Sequence, residues 1–122
     1  MSLQRVVPAF RSADLARSRA FYLEGLGFRV DWEWREAPEL PGFLQISCEG
    51  LALYLTQRAG DCAPGGLAYL YVDEVGRWAE RARERGLAIE SGPLDQPWGN
   101  RELALVDPDG NRLVIATPLP RG

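Results

Sequence analysis

The chain has 122 residues, a hydrophobic share of 46% and a formal net charge of −3, which fit one compact domain or two fused half-domains and exclude a disordered chain. The mildly acidic balance disfavours nucleic acid as a partner, because a phosphate-binding surface needs clustered positive charge. No apolar run approaches the roughly 20 residues that cross a bilayer, so no membrane partner is expected.

Histidine is absent, and all 14 basic residues are arginine. The absence of histidine removes the usual general base near neutral pH and the commonest metal ligand. The cysteines, Cys48 and Cys62, have no C-x-x-C spacing, so a pair of reduced thiols is expected. Arg5, Pro8 and Arg11 interrupt any signal-peptide core, and a cytoplasmic protein is therefore expected.

The first half of the chain predicts a strand, a helix and three further strands. Asp14 is a potential N-cap for a helix over residues 15–24, and Gly25 and Gly27 stop that helix. Apolar, β-branched and aromatic residues then mark the strands, and Glu49 and Gly50 form a hairpin turn between the last two. The predicted strands are residues 6–10, 28–34, 43–48 and 51–57.

The second half repeats this order. Asp73 is expected to cap a helix over residues 74–85, whose apolar residues recur at helical spacing, and Gly86 ends it. A loop is predicted at residues 92–99. The predicted strands are residues 67–72, 87–91, 102–106 and 113–116.

The two halves align in register, since Asp14 and Asp73 are 59 positions apart, as are Gly27 and Gly86. The sequence therefore predicts an α+β fold of two tandem β-α-β-β-β modules, with curved mixed sheets around a cleft. The predicted parts are a first module at residues 1–59, a linker at residues 60–66 and a second module at residues 67–122.

Strand residues alternate between the two faces of a sheet, and the two predicted faces differ in character. The apolar set is expected to pack against the helices: Leu51, Leu53, Leu55, Ala68, Leu70, Val72, Leu103, Leu105, Leu113 and Ile115. The opposite set mixes aromatic and polar residues: Arg11, Gln45, Tyr54, Thr56, Tyr69, Tyr71, Glu102 and Arg112. Such a mixture is typical of a ligand-binding cleft, and a half-exposed face covered by a partner subunit is the alternative.

Several motifs in this order resemble the glyoxalase/bleomycin resistance/extradiol dioxygenase family, also called the vicinal oxygen chelate superfamily. They are Val7-Pro8, Asp14-Leu15-x-x-Ser18, Phe21-Tyr22, Gly25-Leu26-Gly27-Phe28, Gln96-Pro97-Trp98-Gly99-x-Arg101-Glu102 and Asp107-Pro108-Asp109-Gly110-Asn111. The Gln96–Glu102 stretch looks most like the bleomycin resistance proteins. The match runs along nearly the whole chain.

Metal enzymes of this superfamily hold a divalent ion with His and Glu side chains on the cleft face. The resemblance implies that those places fall on Val7, Tyr54, Leu67 and Val114, none of which suits a divalent metal. One carboxylate on the cleft side, Glu102, is too few for a site made by the protein alone. No metal and no other cofactor is therefore expected.

No catalytic residue is assigned, because neither the cysteines nor the serines have a histidine to activate them. A carboxylate pair for acid–base chemistry stays open among Asp31, Glu33 and Glu102. No Gly-rich phosphate-binding pattern occurs in the chain.

Binding is the function that remains. The resemblance places the aromatic walls of an antibiotic groove on Trp32 and Trp98, with packing in a core or interface as the alternative for each. Acidic neighbours around the tryptophans favour a flat cationic ligand. Arg101 and Glu102 are expected to orient the loop, to bind a polar ligand group or to form a structural ion pair. The predicted ligand-binding residues are Trp32, Trp34, Tyr54, Tyr69, Tyr71, Trp98, Arg101, Glu102 and Arg112.

The sequence thus predicts a non-catalytic protein that sequesters a bleomycin-like antibiotic or a similar flat amphipathic molecule. The alternatives are a superfamily enzyme of isomerase, lyase or dioxygenase type with an atypical or absent metal site, and a structural module with a vestigial cleft. A homodimer is expected because a short chain cannot bury many aromatic side chains alone. Exchange of N-terminal strands between subunits is implied by the resemblance.

Overall fold

The computed structural model describes residues 1–120, so the last two residues of the predicted second module lie outside the described part. Its elements follow the predicted order in both halves. The first half contains β1 (Ala9–Arg11), α1 (Leu15–Arg19) with a π-helical extension (Ala20–Gly25), β2 (Arg29–Arg35), β3 (Gly42–Cys48) and β4 (Leu51–Thr56). The second half contains β5 (Leu67–Tyr71), α2 (Val75–Glu84), β6 (Ile89–Asp95), β7 (Asn100–Val106) and β8 (Arg112–Pro118).

Two four-stranded mixed sheets have the same strand order, β1-β4-β3-β2 and β5-β8-β7-β6. In each, the first strand pairs in parallel with the last, and Ala9 opposite Tyr54 repeats as Tyr69 opposite Val114. Both members of the pair are displaced by 60 positions, one more than the spacing of 59 between Asp14 and Asp73. The α+β fold of two β-α-β-β-β modules is therefore confirmed.

The first helix begins as predicted, because the Asp14 Oδ1 atom accepts hydrogen bonds from the backbone N–H groups of Ala16 and Arg17 at 3.0 and 3.3 Å. Its second half widens into a π-helical turn, in which the consecutive residues Phe21 and Tyr22 are both buried.

The predicted capping of the second helix by Asp73 is wrong. The helix starts at Val75, one residue later than predicted, and its N-cap residue Glu74 makes no side-chain cap. The backbone N–H of Val75 instead donates to the Thr117 Oγ1 atom on β8 at 2.9 Å. A side chain from a distant strand thus satisfies the helix end.

Both helices and the inner faces of both sheets share one hydrophobic core. Most of the predicted apolar set belongs to it: Leu53, Leu55, Leu70, Leu103, Leu105, Leu113 and Ile115, with Ala68 and Val72 packed at its margin. Burial of one such large side chain contributes roughly 1.5–3 kcal/mol. Leu51 is the exception, since it is 46% exposed at the start of β4 beside the hairpin turn.

The turn at residues 107–111 joins the two modules. The buried Tyr22 hydroxyl donates to the Asp107 Oδ2 atom at 2.8 Å, and the Asn111 side-chain amide donates to the Arg11 carbonyl at 2.9 Å. Burial, and then the Asp107 charge, raise the pKa of Tyr22, so the phenol remains a donor. This network fixes β1 beside the second module.

Strand β6 extends to Asp95, so the predicted loop at residues 92–99 is shorter than expected. Among residues 1–120, no helix has the length and apolar character that a membrane crossing requires.

Candidate functional site

A first aromatic face, defined by Trp32, Trp34, Phe43 and Tyr54, lies on the outer side of strands β2, β3 and β4. The strand register brings these residues together. Trp32 lies opposite Gln45, Gln45 lies opposite Tyr54, and Trp34 lies opposite Phe43. The Trp32 ring stacks on Phe43 with centroids 5.8 Å apart and planes 6° apart, and its centroid is 5.7 Å from that of Tyr54. Trp32 and Trp34 lie two residues apart on the same side of β2, and neither belongs to the core.

A polar group adjoins this face. Asp31 accepts hydrogen bonds from the Gln45 Nε2 and Ser47 Oγ atoms at 3.0 and 2.9 Å, and it lies 3.3 Å from Arg29 Nε. These hydrogen bonds, from Gln45 and then Ser47, together with the Arg29 charge, lower the pKa of Asp31. The carboxylate is thus ionised at neutral pH and already satisfied.

Gln45 keeps one unmet hydrogen-bonding atom. Its Nε2 atom must face Asp31, because a carboxylate accepts and does not donate, so the carbonyl end points elsewhere. The Oε1 atom is buried and has no hydrogen-bond partner within the described residues. Buried acceptors without a partner are rare in folded proteins, and this one lies at the register position between Trp32 and Tyr54.

Glu33 is not part of this face. It pairs with Arg35 at 2.8 Å and with Arg19 of the first helix, so it belongs to the side of β2 that faces the helix. The hydrogen bond from Arg35 and the charge of Arg19 lower the pKa of Glu33. Asp31 and Glu33 therefore have separate partners, and the carboxylate pair that the sequence left open does not form between them.

A second aromatic face, defined by Tyr69, Tyr71, Trp98, Asn100 and Glu102, lies on the outer side of the other sheet. Trp98 Nε1 donates to Glu102 Oε2 at 2.7 Å, and Asn100 Nδ2 donates to the same oxygen at 3.2 Å. The Asn100 amide also lies 3.2 Å from the Tyr71 hydroxyl. The three rings remain 46% (Tyr69), 55% (Tyr71) and 63% (Trp98) exposed.

The loop before β7 positions Trp98. The Gln96 N–H donates to the Asn100 carbonyl at 2.7 Å, and the Gly99 N–H donates to the Gln96 carbonyl at 3.0 Å. Gly99 has φ +102, a conformation that favours glycine. This turn folds Trp98 back over β7, which brings its indole N–H to Glu102 four residues later.

An ion pair between Arg101 and Glu102, one of the three roles left open for these residues, does not form in the structure. Neighbouring residues in a strand point to opposite faces, so Arg101 instead pairs with Asp95 at 2.7 Å. That interaction lowers the pKa of Asp95 and raises that of Arg101. Arg112 pairs with Glu90 at 2.6 Å. Both arginines are thus on the exposed surface, and each already forms an ion pair.

The two aromatic faces are separate within one chain. No ring contact and no hydrogen bond joins them in residues 1–120. A cavity of about 500 Å³ lies between β4 and β5, with Val6 and Pro8 on one side and Tyr69 and Tyr71 on the other. The structure therefore groups Trp32 with Trp34 and Tyr54, and Trp98 with Tyr71 and Glu102. A groove shared by Trp32 and Trp98 stays a prediction that requires a second subunit.

The side chains at the expected metal places do not fit a divalent ion. Tyr54 and Val114 lie on the outer faces opposite Ala9 and Tyr69, and Val7 and Leu67 are aliphatic. Phenolic and aliphatic groups are poor ligands for such ions. No three Asp, Glu or Cys side chains in residues 1–120 come close enough to hold a metal.

A thiol nucleophile is also poorly supported. Burial raises the pKa of Cys48, which keeps the thiol protonated at neutral pH, whereas a reactive cysteine needs its pKa lowered.

The sequence analysis did not identify two residues of the aromatic faces, Phe43 and Asn100. Phe43 alternates with Gln45 on β3, so the period-2 pattern contained the signal for it. Asn100 lies within the Gln96–Glu102 motif, but its contacts with Tyr71 and Glu102 depend on how the loop folds.

Comparisons with known proteins agree with this fold. A family model described as "Glyoxalase superfamily protein" matches residues 1–118, and a comparison with curated protein sequences found no match. Among solved structures, the antibiotic-binding protein TnmS3 from Streptomyces sp. CB03234 is 28% identical, with a TM-score of 0.80 over 97% of this chain and 98% of that one.

Two further structures show the range of proteins that share the architecture. A bleomycin-binding protein solved with bleomycin is 27% identical, with a TM-score of 0.74 over 94% of this chain and 98% of that one. Lactoylglutathione lyase from Agrobacterium tumefaciens is 20% identical, with a TM-score of 0.73 over 95% of each chain. The similarity to the lyase, at 20% identity, shows a shared fold alone.

Proposed function

This chain belongs to the glyoxalase superfamily, and we propose that within it the chain is a non-catalytic protein that binds a flat amphipathic small molecule of the bleomycin-like antibiotic class. The observation that carries this proposal is the pair of outward-facing aromatic surfaces. Trp32 and Trp34 are 42% and 50% exposed, and Trp98 is 63% exposed. Large rings held by hydrogen bonds or stacking, but left open to solvent, provide the walls of a stacking site.

The polar groups on these faces support recognition of a ligand more than a reaction. Asp31 is already satisfied by Gln45 and Ser47, and Glu102 accepts from Trp98. A general base must lie beside a group whose proton it removes. Asp31 and Glu102 instead each accept hydrogen bonds from side chains of their own aromatic face. Two proteins of similar sequence and fold, TnmS3 and the bleomycin-binding protein, bind antibiotics.

We also propose that the working form is a homodimer in the cytoplasm. One chain leaves both aromatic faces open to solvent. A second copy of the chain could place its second aromatic face opposite the first aromatic face of its partner. The segment before β1 has no assigned secondary structure and leaves Met1, Leu3 and Val6 exposed, which supports an exchanged N-terminal strand. Burial of these side chains would lower the exposed apolar area of each chain.

A thermal-shift experiment tests the binding function. Metal-free bleomycin, its copper complex and a panel of flat amphipathic molecules are each added to the purified protein. A ligand at one hundred times its Kd stabilises the native state by about 2.7 kcal/mol, which raises the unfolding temperature clearly. We expect at least one such ligand to do this, with a smaller effect in Trp32→Ala and Trp98→Ala. The proposal fails if no ligand shifts the transition, or if both variants respond as the wild type does.

A further inference from the structure

Glu102 is a buried carboxylate with one unused oxygen. The residue is 7% exposed, and its Oε2 atom accepts from both Trp98 and Asn100. The Oε1 atom accepts no hydrogen bond from residues 1–120. It is also not fully enclosed, because Gln45 Oε1 is the one fully enclosed side-chain atom of these residues that lacks a partner. This oxygen therefore keeps some exposure to solvent, and Glu102 lies on the side of the sheet that carries the second aromatic face.

No cation of the described chain neutralises Glu102. The two nearest candidates by position, Arg101 and Arg112, are engaged by Asp95 and Glu90, and no ion pair within residues 1–120 includes Glu102. A buried carboxylate is unfavourable unless it is paired and hydrogen-bonded. Neutral donors on one oxygen meet only part of that requirement.

The first aromatic face offers no such unpaired charge. Asp31 has Gln45, Ser47 and Arg29 around it, and Glu33 is paired with arginines on the opposite side of its strand. Among Asp31, Glu33 and Glu102, only Glu102 lacks a cationic partner within residues 1–120. The second face therefore contains a buried acidic side chain that no arginine of the described residues pairs with.

We propose that Glu102 determines the charge class of the ligand, which is a planar aromatic cation carrying an N–H group. The cationic N–H donates to Glu102 Oε1 while the flat ring stacks on Trp98. The hydrogen bond from the Trp98 indole to Oε2 holds the stacking ring beside the carboxylate and leaves Oε1 for the ligand. Stacking of a cation on an indole adds a favourable electrostatic interaction. This inference rests on the proposed binding function and specifies its ligand.

Two ring-matched probes test the charge requirement. At about pH 8, 9-aminoacridine is a cation with N–H donors, whereas acridine is neutral and has none. Titration calorimetry should show that wild-type protein binds 9-aminoacridine about ten- to a hundred-fold more tightly, as a charge-assisted hydrogen bond provides. Glu102→Gln keeps an acceptor for the Trp98 N–H but removes the charge, and it should reduce that preference to within about three-fold. Glu80→Gln removes the same charge from an exposed position on α2 and should keep the full preference.

The outcomes separate this proposal from the proposed function. Equal affinity for the two probes, or a preference that survives in Glu102→Gln, overturns the role of Glu102 while binding itself stands. Failure of 9-aminoacridine to bind also overturns it, and the proposed function falls as well if bleomycin and the panel give no thermal shift. Urea unfolding provides a further check, because Glu102→Gln should be at least as stable as the wild type. A large loss of stability would show that Glu102 is a structural residue.

Discussion

Removal of the Trp98 ring should weaken ligand binding, and it should destabilise the fold much less than truncation of a core aromatic residue does. A buried Trp contributes roughly 150–250 Å² of contact area, and Trp98 is 63% exposed, so about 50–90 Å² is buried in the free protein. At about 25 cal/mol per Å², that area is worth about 1–2 kcal/mol. In Trp98→Ala, we expect an unfolding free energy lower by no more than this. Binding should weaken by about 1–3 kcal/mol, or about five- to 150-fold, because the anchor ring of the site is lost.

Urea unfolding and ligand titration on the same variant measure the two quantities. Phe28→Ala is the matched control, because Phe28 is 4% exposed and truncation of a core aromatic residue costs about 3–5 kcal/mol of stability. Trp98→Phe keeps a ring but removes the N–H that donates to Glu102, so it separates stacking from the hydrogen bond. If Trp98→Ala loses as much stability as Phe28→Ala, or if its affinity is unchanged, the assignment of Trp98 to the binding face is refuted.

Four further predictions concern assembly, metal content, the module junction and acid sensitivity. Sedimentation equilibrium at micromolar concentration should give about 27 kDa, twice the 13.6 kDa chain; a single 13.6 kDa species contradicts the dimer. Elemental analysis after metal-rich growth should find no stoichiometric transition metal, and one tight ion per subunit that is lost with Glu102 would be contrary evidence. Tyr22→Phe should lower the unfolding free energy by about 1–2 kcal/mol, because the donor to buried Asp107 is lost; an unchanged urea midpoint argues against this junction. The pKa of Asp31 is lowered, so its contribution to stability is present above the unfolded value of about 3.9 and is lost as pH falls through the lower folded value. Asp31→Asn should remove the part of the acid sensitivity that appears as the pH falls below the unfolded value, and an identical pH profile contradicts it.

The fold was largely predictable because its signals are local and occur twice. The period-2 alternation placed Leu53 and Leu55 in the core, and the Asp14 cap set the start of the first helix. The failures have non-local causes. The second helix is capped by Thr117, which lies 42 residues from Val75, and no local pattern connects them. Leu51 follows the same alternation as Leu53, but it is the first residue of β4, beside the hairpin turn, and it stays largely exposed.

The candidate site was predictable as a set of residues but not as an arrangement. Trp98 and Glu102 were both identified, yet their hydrogen bond depends on the positive φ of Gly99, which folds the loop back. Of the three roles left open for Arg101 and Glu102, the structure rules out the ion pair, which strand alternation already disfavoured. The lack of a cationic partner for Glu102 emerges only from the structure, in which Asp95 pairs with Arg101 and Glu90 pairs with Arg112.

The indole N–H signals of the four tryptophans test the central claim most directly. Trp32, Trp34 and Trp98 lie on the aromatic faces, whereas Trp78 lies on α2 beside Arg81, whose guanidinium carbon is 5.6 Å from the centre of the ring. In a ¹⁵N-labelled sample titrated with a ligand found by thermal shift, the signals of Trp32 and Trp98 should move with the same saturation curve while that of Trp78 stays in place. A shift confined to Trp78, or no shift in either face, would contradict a binding site built from these two aromatic faces.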